Sequence, residues 1–512
     1  MSTSIVRGRY VITKTIDRHQ WEQIDDGAVL VEDGIIRDIG TFDELRDRNL
    51  NTQVIGSGRQ VLMPGFVNGH HHVGLTPVQL GSPDMPLELW FVTRMVCRAV
   101  DLYLDTLYSA FEMIASGVTT VQHIHGWIPG KLDQVTDGAN EVIKAYEDIG
   151  MRVSYSFALR DQNRLVYMDD QEFIKLLPEE MHPPMQRHFA RFGMDLDDFM
   201  AMFEHLHEQH HNKDRIGIQL APANLHWCSD KALERLSEAS IKYDAPMHMH
   251  LVETAYQKEY AKRRGGGTAL DYIDRFDMLG PRMTLGHGVW LSQKDIERIA
   301  ETGTHICHNC SSNFRLRSGV GALNVWEQYG VNTAMGMDEA GINDDRDMLQ
   351  EMRMVLRAHR TPGTGDEVPT MAQVLRMATA GGAKTTAFGE RLGTLEVGKA
   401  ADMVLMDWEK IAYPYLDREI SVLDAVIQRA KTGGVDMVMC AGDVIYHHGE
   451  FMKVDQRAAL SKLHDDLTRA LTDEEVERRG LSKKLLPHVM KFYENYFDAA
   501  AHVPFYKPSS SV

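Results

Sequence analysis

The sequence has few of the features that mark secreted, membrane-bound or nucleic-acid-binding proteins. Five cysteines in 512 residues are too few for a disulfide framework. No apolar run approaches the ~18 residues of a membrane-spanning helix, and the N-terminal residues lack the apolar core of a signal peptide. Lys and Arg total 55 against 73 Asp and Glu, and the resulting net charge of −18 argues against nucleic acid or a membrane as partner. These absences predict a soluble cytoplasmic protein.

The remaining composition is that of an ordinary globular protein. The sequence is 43% hydrophobic and 25% charged, which excludes a disordered, collagen-like or coiled-coil chain. It contains no internal repeat and no low-complexity tract. A chain of 512 residues can hold an α/β barrel of about 250 residues or more together with further elements.

The central part of the chain, residues 61–389, alternates strand-like and helical patterns. Short apolar runs are followed by segments whose apolar residues recur every three or four positions. Eight such units in about 300 residues favour a parallel (β/α)8 barrel, a TIM barrel, over an open sheet. The predicted strands begin near residues 61, 118, 152, 215, 246, 283, 304 and 332.

The sequence pattern near the two ends of the chain differs from that of the central part. Residues 1–60 and 390–455 contain short runs rich in Val, Ile and Met, separated by Gly and Asp, which is typical of hairpins. We expect these two segments to join as one small discontinuous domain. Residues 456–512 are predicted to form a helical, charged extension, and VPFYKPSSSV at its end is predicted to be a packing arm or an oligomer contact.

Histidines follow the first predicted strand of the barrel, in the run Asn68-Gly69-His70-His71-His72. Residues i and i+2 of a strand point to the same face, so His70 and His72 can aim at one ion while His71 points away. Imidazole is the commonest nitrogen ligand for Zn and Fe. The alternative interpretation is a surface histidine run in a loop.

Three further strands end in histidine or acidic residues. His250 is followed three residues later by Glu253, a pair suited to metal binding and proton transfer. His248 lies on the same face as His250, so spacing leaves open which of the two is the ligand. His287 and Asp338 end two later strands. Any one of these residues alone is more often structural, but together they mark the face at which barrel active sites are built.

These motifs resemble those of the amidohydrolase superfamily over most of the chain. The family's first-strand motif is similar to PGFVNGHHH, its fifth-strand motif to HLVET, its sixth-strand histidine to GHGV and its eighth-strand aspartate to MGMDEAGIND. A His-Asn-x-x-Ser-Asn segment is similar to CHNCSSNFRLRSG, and the return into the family's small β-sandwich is similar to LGTLEVGKAADMVLMD. Within the superfamily the sequence most resembles the chlorohydrolase/deaminase group, which acts on triazines, S-adenosylhomocysteine, guanine and related heterocycles.

The resemblance implies a (β/α)8 barrel with one divalent metal ion. Zn is the expected ion and Fe the alternative, since both accept imidazole and carboxylate ligands. RIGIQLAP on the fourth strand contains no lysine that could bridge two ions, which favours one metal. The implied ligands are His70, His72, His250 and Asp338.

The same resemblance implies the catalytic residues. Glu253 would take a proton from water and deliver it to the leaving group. His287 would orient the nucleophile or polarise the substrate, and Asp338 would assist proton transfer.

Substrate-contacting residues are expected where the sequence departs from the family pattern. Glu339 follows Asp338 where a small or amide residue is commoner, and Cys310 replaces a proline in the segment that contains Asn309. A further segment, DMPLELWF with Glu88 and Trp90, resembles one that contacts substrate in relatives, although packing of an amphipathic helix explains it equally well. The predicted substrate-binding residues are Trp90, Asn224, His226, Asn309 and Glu339.

The leading functional hypothesis is a mononuclear metal-dependent hydrolase of a small N-heterocycle. It would remove an amino, alkylamino or halide group from an electron-poor ring carbon by attack of hydroxide held on the metal. An amide or urea hydrolase needs the same chemistry and stays open as an alternative. A catalytically inactive scaffold would lack ligands, and here the full set is present. The expected partners are a small-molecule substrate and further copies of the chain in a homo-oligomer.

Two other clusters have simpler interpretations. Cys307 and Cys310 form a single CxxC at a predicted strand end, and we interpret it as incidental because no second CxxC accompanies it. A histidine run in a polar helix is interpreted as a solvated face. It consists of His205, His207, His210 and His211.

Overall fold

The computed structural model describes residues 3–126, 128–213 and 215–498. The strands are β1 (Thr3–Thr15), β2 (Trp21–Glu32), β3 (Ile35–Thr41), β4 (Gln53–Ile55), β5 (Gln60–Pro64), β6 (Phe66–His71), β7 (Val118–His125), β8 (Arg152–Leu159), β9 (Ile216–Ile218), β10 (Ala221–Pro222), β11 (Met247–Leu251), β12 (Met283–His287), β13 (His305–His308), β14 (Thr333–Met335), β15 (Met403–Asp407), β16 (Val435–Cys440), β17 (Asp443–His447) and β18 (Glu450–Phe451).

The helices alternate with the central strands and continue to the C-terminal part of the chain. They are α1 (Phe42–Arg48), α2 (Leu87–Thr93), α3 (Leu102–Ala115), α4 (Leu132–Ile149), α5 (Asp170–Lys175), α6 (His182–Ala190), α7 (Leu196–His210), α8 (Asp230–Tyr243), α9 (Ala255–Gly265), α10 (Ala269–Ile273), α11 (Gln293–Thr302), α12 (Cys310–Arg315), α13 (Leu323–Gln328), α14 (Met348–Ala358), α15 (Met371–Arg376), α16 (Trp408–Ala412), α17 (Val422–Arg429), α18 (Gln456–Thr468) and α19 (Asp473–Tyr493). Within the described ranges, no helix is long and apolar enough to cross a membrane.

The strands from β6 to β14 form a closed parallel barrel. β6, β7 and β8 pair side by side, and the fourth barrel strand is split into β9 and β10, which both pair with β8. β11 to β14 form the other half of the barrel. Isolated parallel bridges close it, from Leu220 to Met247 and from Asn224 to His250 on one side and from His71 to Asp338 on the other. The predicted (β/α)8 fold is confirmed.

The barrel strands are apolar runs because both of their faces are covered. Every residue of β7, β11 and β12 is buried, as expected for parallel strands that have a packed interior on one side and helices on the other. Ser229 and Ser292 are the N-caps of α8 and α11, and Ser292 forms a capping box with Asp295. These caps fix where each helix begins after its strand.

Strands from both ends of the chain form the second, smaller sheet. Its order is β18-β17-β16-β15-β5-β1-β2-β3, with β4 beside β1. The sheet encloses its own apolar cluster, which includes Val11, Leu62, Leu405 and Met439. β5 pairs with β1 and β15, so the barrel begins after Gly65 and not at residue 61.

The C-terminal helices lie against the barrel. α19 packs on α2 and on the insertion that contains α5 and α6, and Leu481, Leu485 and Val489 contribute to one apolar cluster with Val92 and Phe173. The structure therefore links the predicted helical extension to the segment after the first barrel strand. The predicted arm VPFYKPSSSV lies outside the described residues.

Candidate metal centre and active site

Three histidine side chains and one carboxylate converge at the C-terminal end of the barrel. His72 Nε2 lies 3.0 Å from the Nε2 atoms of both His70 and His250. Asp338 Oδ1 lies 3.1 Å from His72 Nε2 and 3.6 Å from His70 Nε2. The first, fifth and eighth barrel strands thus bring the four predicted ligands together.

Hydrogen bonds at the opposite ring nitrogens set the tautomers of two of these histidines. His72 Nδ1 lies 2.6 Å from the carbonyl oxygen of Ile124, and His250 Nδ1 lies 2.7 Å from that of Ala223. Because a carbonyl only accepts, each Nδ1 carries the hydrogen, and in the neutral ring each Nε2 then carries a lone pair. Lone pairs that face each other at 3.0 Å repel unless a cation lies between them. Imidazoles with a carboxylate are ligands for Zn and Fe, so these residues fit a divalent metal ion.

For His70, His250 and Asp338, the protonation states favoured by the surroundings are those that metal binding requires. Burial, followed by the neighbouring histidines, lowers the pKa of His70 and of His250 well below its usual value. Burial opposes ionisation of Asp338, but its hydrogen bond with His72 and the nearby His287 hold its pKa well below its usual range. Burial also lowers the pKa of His72, but Asp338 outweighs it and the net shift is upward. A metal ion would compete with that proton for His72 Nε2.

The backbone is strained where two of the site residues lie. His287 has φ 71° and Asp338 has φ 55°, in the left-handed region that costs non-glycine residues about 1–3 kcal/mol. His287 ends β12 and Asp338 follows the end of β14, and both side chains lie close to His70. Such strain is concentrated at functional sites.

Glu253 lies beside the ligands in a buried position. Its Oε1 accepts a hydrogen bond from Ser318 Oγ at 3.1 Å and lies 3.8 Å from His287 Nδ1. Burial raises the pKa of the carboxyl group, although the neighbouring His287 partly opposes the shift. A buried carboxyl group of raised pKa can both accept and return a proton near neutral pH.

Two asparagines fix the ring of His287. Its Nδ1 lies 2.9 Å from Asn313 Oδ1, and Asn309 Nδ2 lies 3.3 Å from its Nε2. Asp338 Oδ2 is 3.9 Å from the same Nε2. His287 is therefore held between the two amides, next to the predicted ligand Asp338.

A narrow cavity of about 30 Å³ adjoins the ligands. Of the predicted substrate-binding residues, Trp90, Asn224 and Glu339 line it. Phe91 and Arg94 line both this cavity and a larger one of about 360 Å³, so these two side chains lie between the two spaces.

Two predicted substrate-binding residues do not line the cavity. Asn309 is fully buried and donates to His287 instead. The His226 ring packs 4.1 Å from the ring of Tyr167 and 4.2 Å from that of Trp227. The turn after β10 directs His226 into this aromatic cluster, and Trp227 lines the cavity in its place.

Sequence reasoning missed three polar residues of the cavity wall: Arg94, Arg160 and Gln257. Arg94 forms an ion pair with Glu339, and it follows Trp90 by one helical turn, a spacing that places both on one face. Gln257 follows Thr254 by three residues, the spacing of a capping box, which is the signal that could have singled it out.

The surroundings agree with the interpretation of the CxxC as incidental, but of the histidine run only His205 is exposed, and His207, His210 and His211 are partly buried. Burial raises the pKa of Cys307 and Cys310 well above its usual value, and both are free thiols. In the histidine run, His210 Nε2 bonds Asn140 and His211 Nδ1 accepts from the backbone N–H of Ile218. These histidines hold α7 against neighbouring elements.

Comparison with known proteins gives the family. A profile of the amidohydrolase family matches residues 61–445. The 5-methylthioadenosine/S-adenosylhomocysteine deaminase of Thermodesulfovibrio yellowstonii is 25% identical over 468 residues, which cover 90% of this chain and 97% of the relative. The 5'-deoxyadenosine deaminase of Methanosarcina mazei is 28% identical over 467 residues, with coverage of 90% and 97%.

A solved structure shares the fold over nearly the whole chain. The adenosine deaminase of Xanthomonas campestris with bound zinc superposes with a TM-score of 0.77 at 24% identity, covering 91% of this chain and 97% of that one. The resemblance predicted from the motifs is confirmed by the profile match. The chain belongs to the amidohydrolase family.

Proposed function

We propose that the protein is a mononuclear metal-dependent aminohydrolase that removes an amino or alkylamino group from a carbon atom of a small N-heterocycle. The observation that carries the proposal is the set of imidazole lone pairs facing one another at 3.0 Å beside a buried glutamate. The deaminase relatives support a heterocyclic amine as the substrate. Hydrolysis of a carbon–halogen bond on a similar ring would need the same residues.

His70, His72, His250 and Asp338 would hold the metal ion. Bound there, a divalent ion supplies the Lewis acidity that makes water nucleophilic near neutral pH. Zinc is the proposed ion, because the related Xanthomonas campestris enzyme structure contains it. The absence of lysine from RIGIQLAP supports a single ion.

Glu253 would carry out the proton transfers. Its Oε1 is held by Ser318, and its raised pKa suits a group that takes a proton from water and returns it to the departing amine. His287, clamped by Asn309 and Asn313, would polarise or orient the reacting group. Asp338 would assist transfer from its position between His72 and His287.

Trp90, Asn224 and Glu339 would contact the substrate from the cavity wall. Asn309 would affect the substrate through His287, and His226 through the packing of Trp227.

A substrate screen tests the proposed reaction. Ammonia, amine or chloride release is measured with adenosine, guanine, 2-chloro-4,6-diamino-1,3,5-triazine, a set of ureas and a set of simple amides. We expect release from at least one aminated ring, abolished by chelation and restored by zinc. The matched control is Glu253→Gln, which should remain inactive with zinc. Release from ureas or amides alone would replace the proposal with the amide hydrolase alternative.

The protein is further proposed to be a cytoplasmic homo-oligomer. Its five cysteines are all free thiols, as expected for a reducing compartment. One loop exposes Tyr413 (76%), Tyr415 (74%) and Ile420 (46%), an apolar surface of the kind found at protein contacts. Light scattering on the purified protein tests the assembly, and a monomer at micromolar concentration would contradict it.

A further inference from the structure

In the wall of the cavity beside the predicted metal ligands, the side-chain amide of Gln257 has a fixed orientation. Gln257 lies in the first turn of α9, and its Oε1 accepts a hydrogen bond from the backbone N–H of Glu253 at 2.8 Å. In a capping box the third residue of a helix binds the N–H of the N-cap, which here is Thr254. Gln257 reaches one residue further back. Because a backbone N–H only donates, the amide oxygen must face Glu253 and Nε2 must lie on the opposite side.

The Nε2 group of Gln257 is a buried donor in the cavity wall. The residue is 3% exposed and lines the cavity, and Nε2 has no hydrogen-bond partner among the residues that the structure describes. Trp90 has the same property, since it is 4% exposed and its Nε1–H is unpartnered within the described ranges. Buried donors are nearly always satisfied in folded proteins, so an occupant of the cavity that offers acceptors is favoured.

Glu339 contributes a buried acceptor to the same wall. One carboxylate oxygen, Oε1, forms the ion pair with Arg94. The other, Oε2, is buried and has no partner in the described part of the chain. A carboxylate oxygen only accepts hydrogen bonds, so a molecule bound in the cavity would satisfy Glu339 Oε2 by offering it a donor. The cavity therefore has donors on the side of Gln257 and Trp90 and an acceptor at Glu339.

We propose that Gln257 is a substrate-binding residue that determines specificity. The substrate class is an aminated heterocycle that presents an unprotonated ring nitrogen to Gln257 Nε2, and an N–H group to Glu339 Oε2. The inference rests on the proposed function, because the bound ring is the one that undergoes hydrolysis. Oε1 of the same side chain accepts from the backbone N–H of Glu253. Gln257 would therefore fix the position of the ring relative to Glu253, the residue proposed to transfer protons.

One substitution separates this role from a structural one. Gln257→Glu keeps an oxygen that can accept from the Glu253 N–H, but it replaces the Nε2 donor with an acceptor. If Gln257 only held the loop, this variant would leave kcat/KM unchanged or change it by the same factor for every ring. Gln257→Leu removes both interactions and shows the cost of losing the contact with Glu253 as well.

Ring analogues provide the matched control for the added carboxylate. Each parent ring is paired with analogues in which one ring nitrogen is replaced by C–H: adenosine with 1-, 3- and 7-deazaadenosine, guanine with 3- and 7-deazaguanine, and 2-chloro-4,6-diamino-1,3,5-triazine with 4-chloro-2,6-diaminopyrimidine. A new charge near Glu253 affects a parent and its analogues alike. Loss of the Nε2 donor affects only rings that carry the acceptor it binds.

The expected result concerns the ratio between parent and analogue. For the parent that the wild type hydrolyses, Gln257→Glu should lower kcat/KM about 10- to 100-fold, mainly through KM. For the analogue that lacks the ring nitrogen bound by Gln257, the kcat/KM values of wild type and variant should agree within about threefold. The role of Gln257 would be overturned if the substitution lowered kcat/KM by the same factor for the parent and every analogue, or if it had no effect on the parent. Either result would leave the proposed function intact. A wild type that hydrolyses none of the rings would reject both.

Discussion

His70 and His248 form a buried pair in which Nδ1 of the first lies 2.8 Å from Nε2 of the second. The sequence left open whether His248 or His250 binds the metal, because both lie on one face of a strand. The structure directs His250 Nε2 toward His72 at 3.0 Å and places His248 behind His70. In that position His248 Nε2 accepts the Nδ1–H of His70, which leaves His70 Nε2 available for a metal ion.

Removal of that acceptor should weaken metal binding without abolishing it. We expect His248→Leu to lower the metal affinity about 10- to 100-fold, the usual effect of losing a partner of a ligand histidine. His248→Gln, which keeps an acceptor in a similar place, should lose less. Competition titrations of zinc against a chelator measure both variants. Wild-type affinity in His248→Leu would contradict the supporting role, and complete loss would make His248 a ligand.

Removal of a ligand should have a larger effect on the metal than on the fold. His250→Ala should reduce the metal content from about one ion per chain to almost none and abolish turnover, while the circular dichroism spectrum stays that of the wild type. The reason is that barrel stability resides mainly at the opposite face. His205→Ala on the exposed face of α7 is the matched control and should retain its metal. Full occupancy in His250→Ala, measured by elemental analysis, would remove His250 from the ligand set.

The strands and the convergence of the predicted ligand side chains were predictable because they follow simple periodicities. Parallel strands with two covered faces appear as apolar runs, and alternation along β6 places His70 and His72 on one side. The histidine and acidic residues at strand ends could be assigned to one face without knowing any contact. The resemblance then supplied the roles proposed for them.

The residues that support and line the site were less predictable because their positions depend on tertiary contacts. The carbonyls of Ile124 and Ala223, which fix two histidine tautomers, belong to neighbouring strands and carry no side-chain signal. His226 was misplaced because the direction of a side chain in a turn follows no period. The start of the barrel was misplaced because the pairing of β5 with β15 joins residues more than 300 positions apart.

A buried glutamate outside the ligand cluster should make stability depend on pH. Burial raises the pKa of Glu88 to about 7, against hydrogen bonds from Thr254 and Tyr167 that favour the ionised form. A carboxyl group with a raised folded-state pKa stabilises the fold below its unfolded pKa, near 4.5, and loses that contribution as pH rises through about 7. The shift corresponds to about 3 kcal/mol between these limits.

Glu88→Gln removes this titration and keeps an oxygen acceptor for Thr254 and Tyr167. The difference in unfolding free energy between wild type and variant should therefore shift by about 3 kcal/mol, to the disadvantage of the wild type, between pH 4.5 and pH 8. Urea denaturation at several pH values measures it. A constant difference across this range would show that Glu88 titrates normally.

The last prediction concerns Glu253 and tests the mechanism. Glu253→Gln keeps the size of the side chain and an oxygen that can accept from Ser318 Oγ, but it cannot take up a proton. General acid–base groups contribute about 10²- to 10⁴-fold in rate, and a group that serves both proton transfers should lie near the upper end. Metal content should equal that of the wild type because the ligands are unchanged.

The kinetic parameters distinguish proton transfer by Glu253 from a structural role in which the carboxylate only pairs with a neighbouring cation at the end of the barrel. KM should change less than kcat, because the lost interaction is made mainly in the transition state. Ser318→Ala is the matched control, since it removes only the hydrogen bond to Oε1 and should cost far less in kcat than Glu253→Gln. Steady-state kinetics on the substrate found in the screen, with metal analysis of the same samples, measure these effects. A loss below about tenfold in kcat for Glu253→Gln would assign proton transfer to another group, because a group with this task is worth at least about a hundredfold.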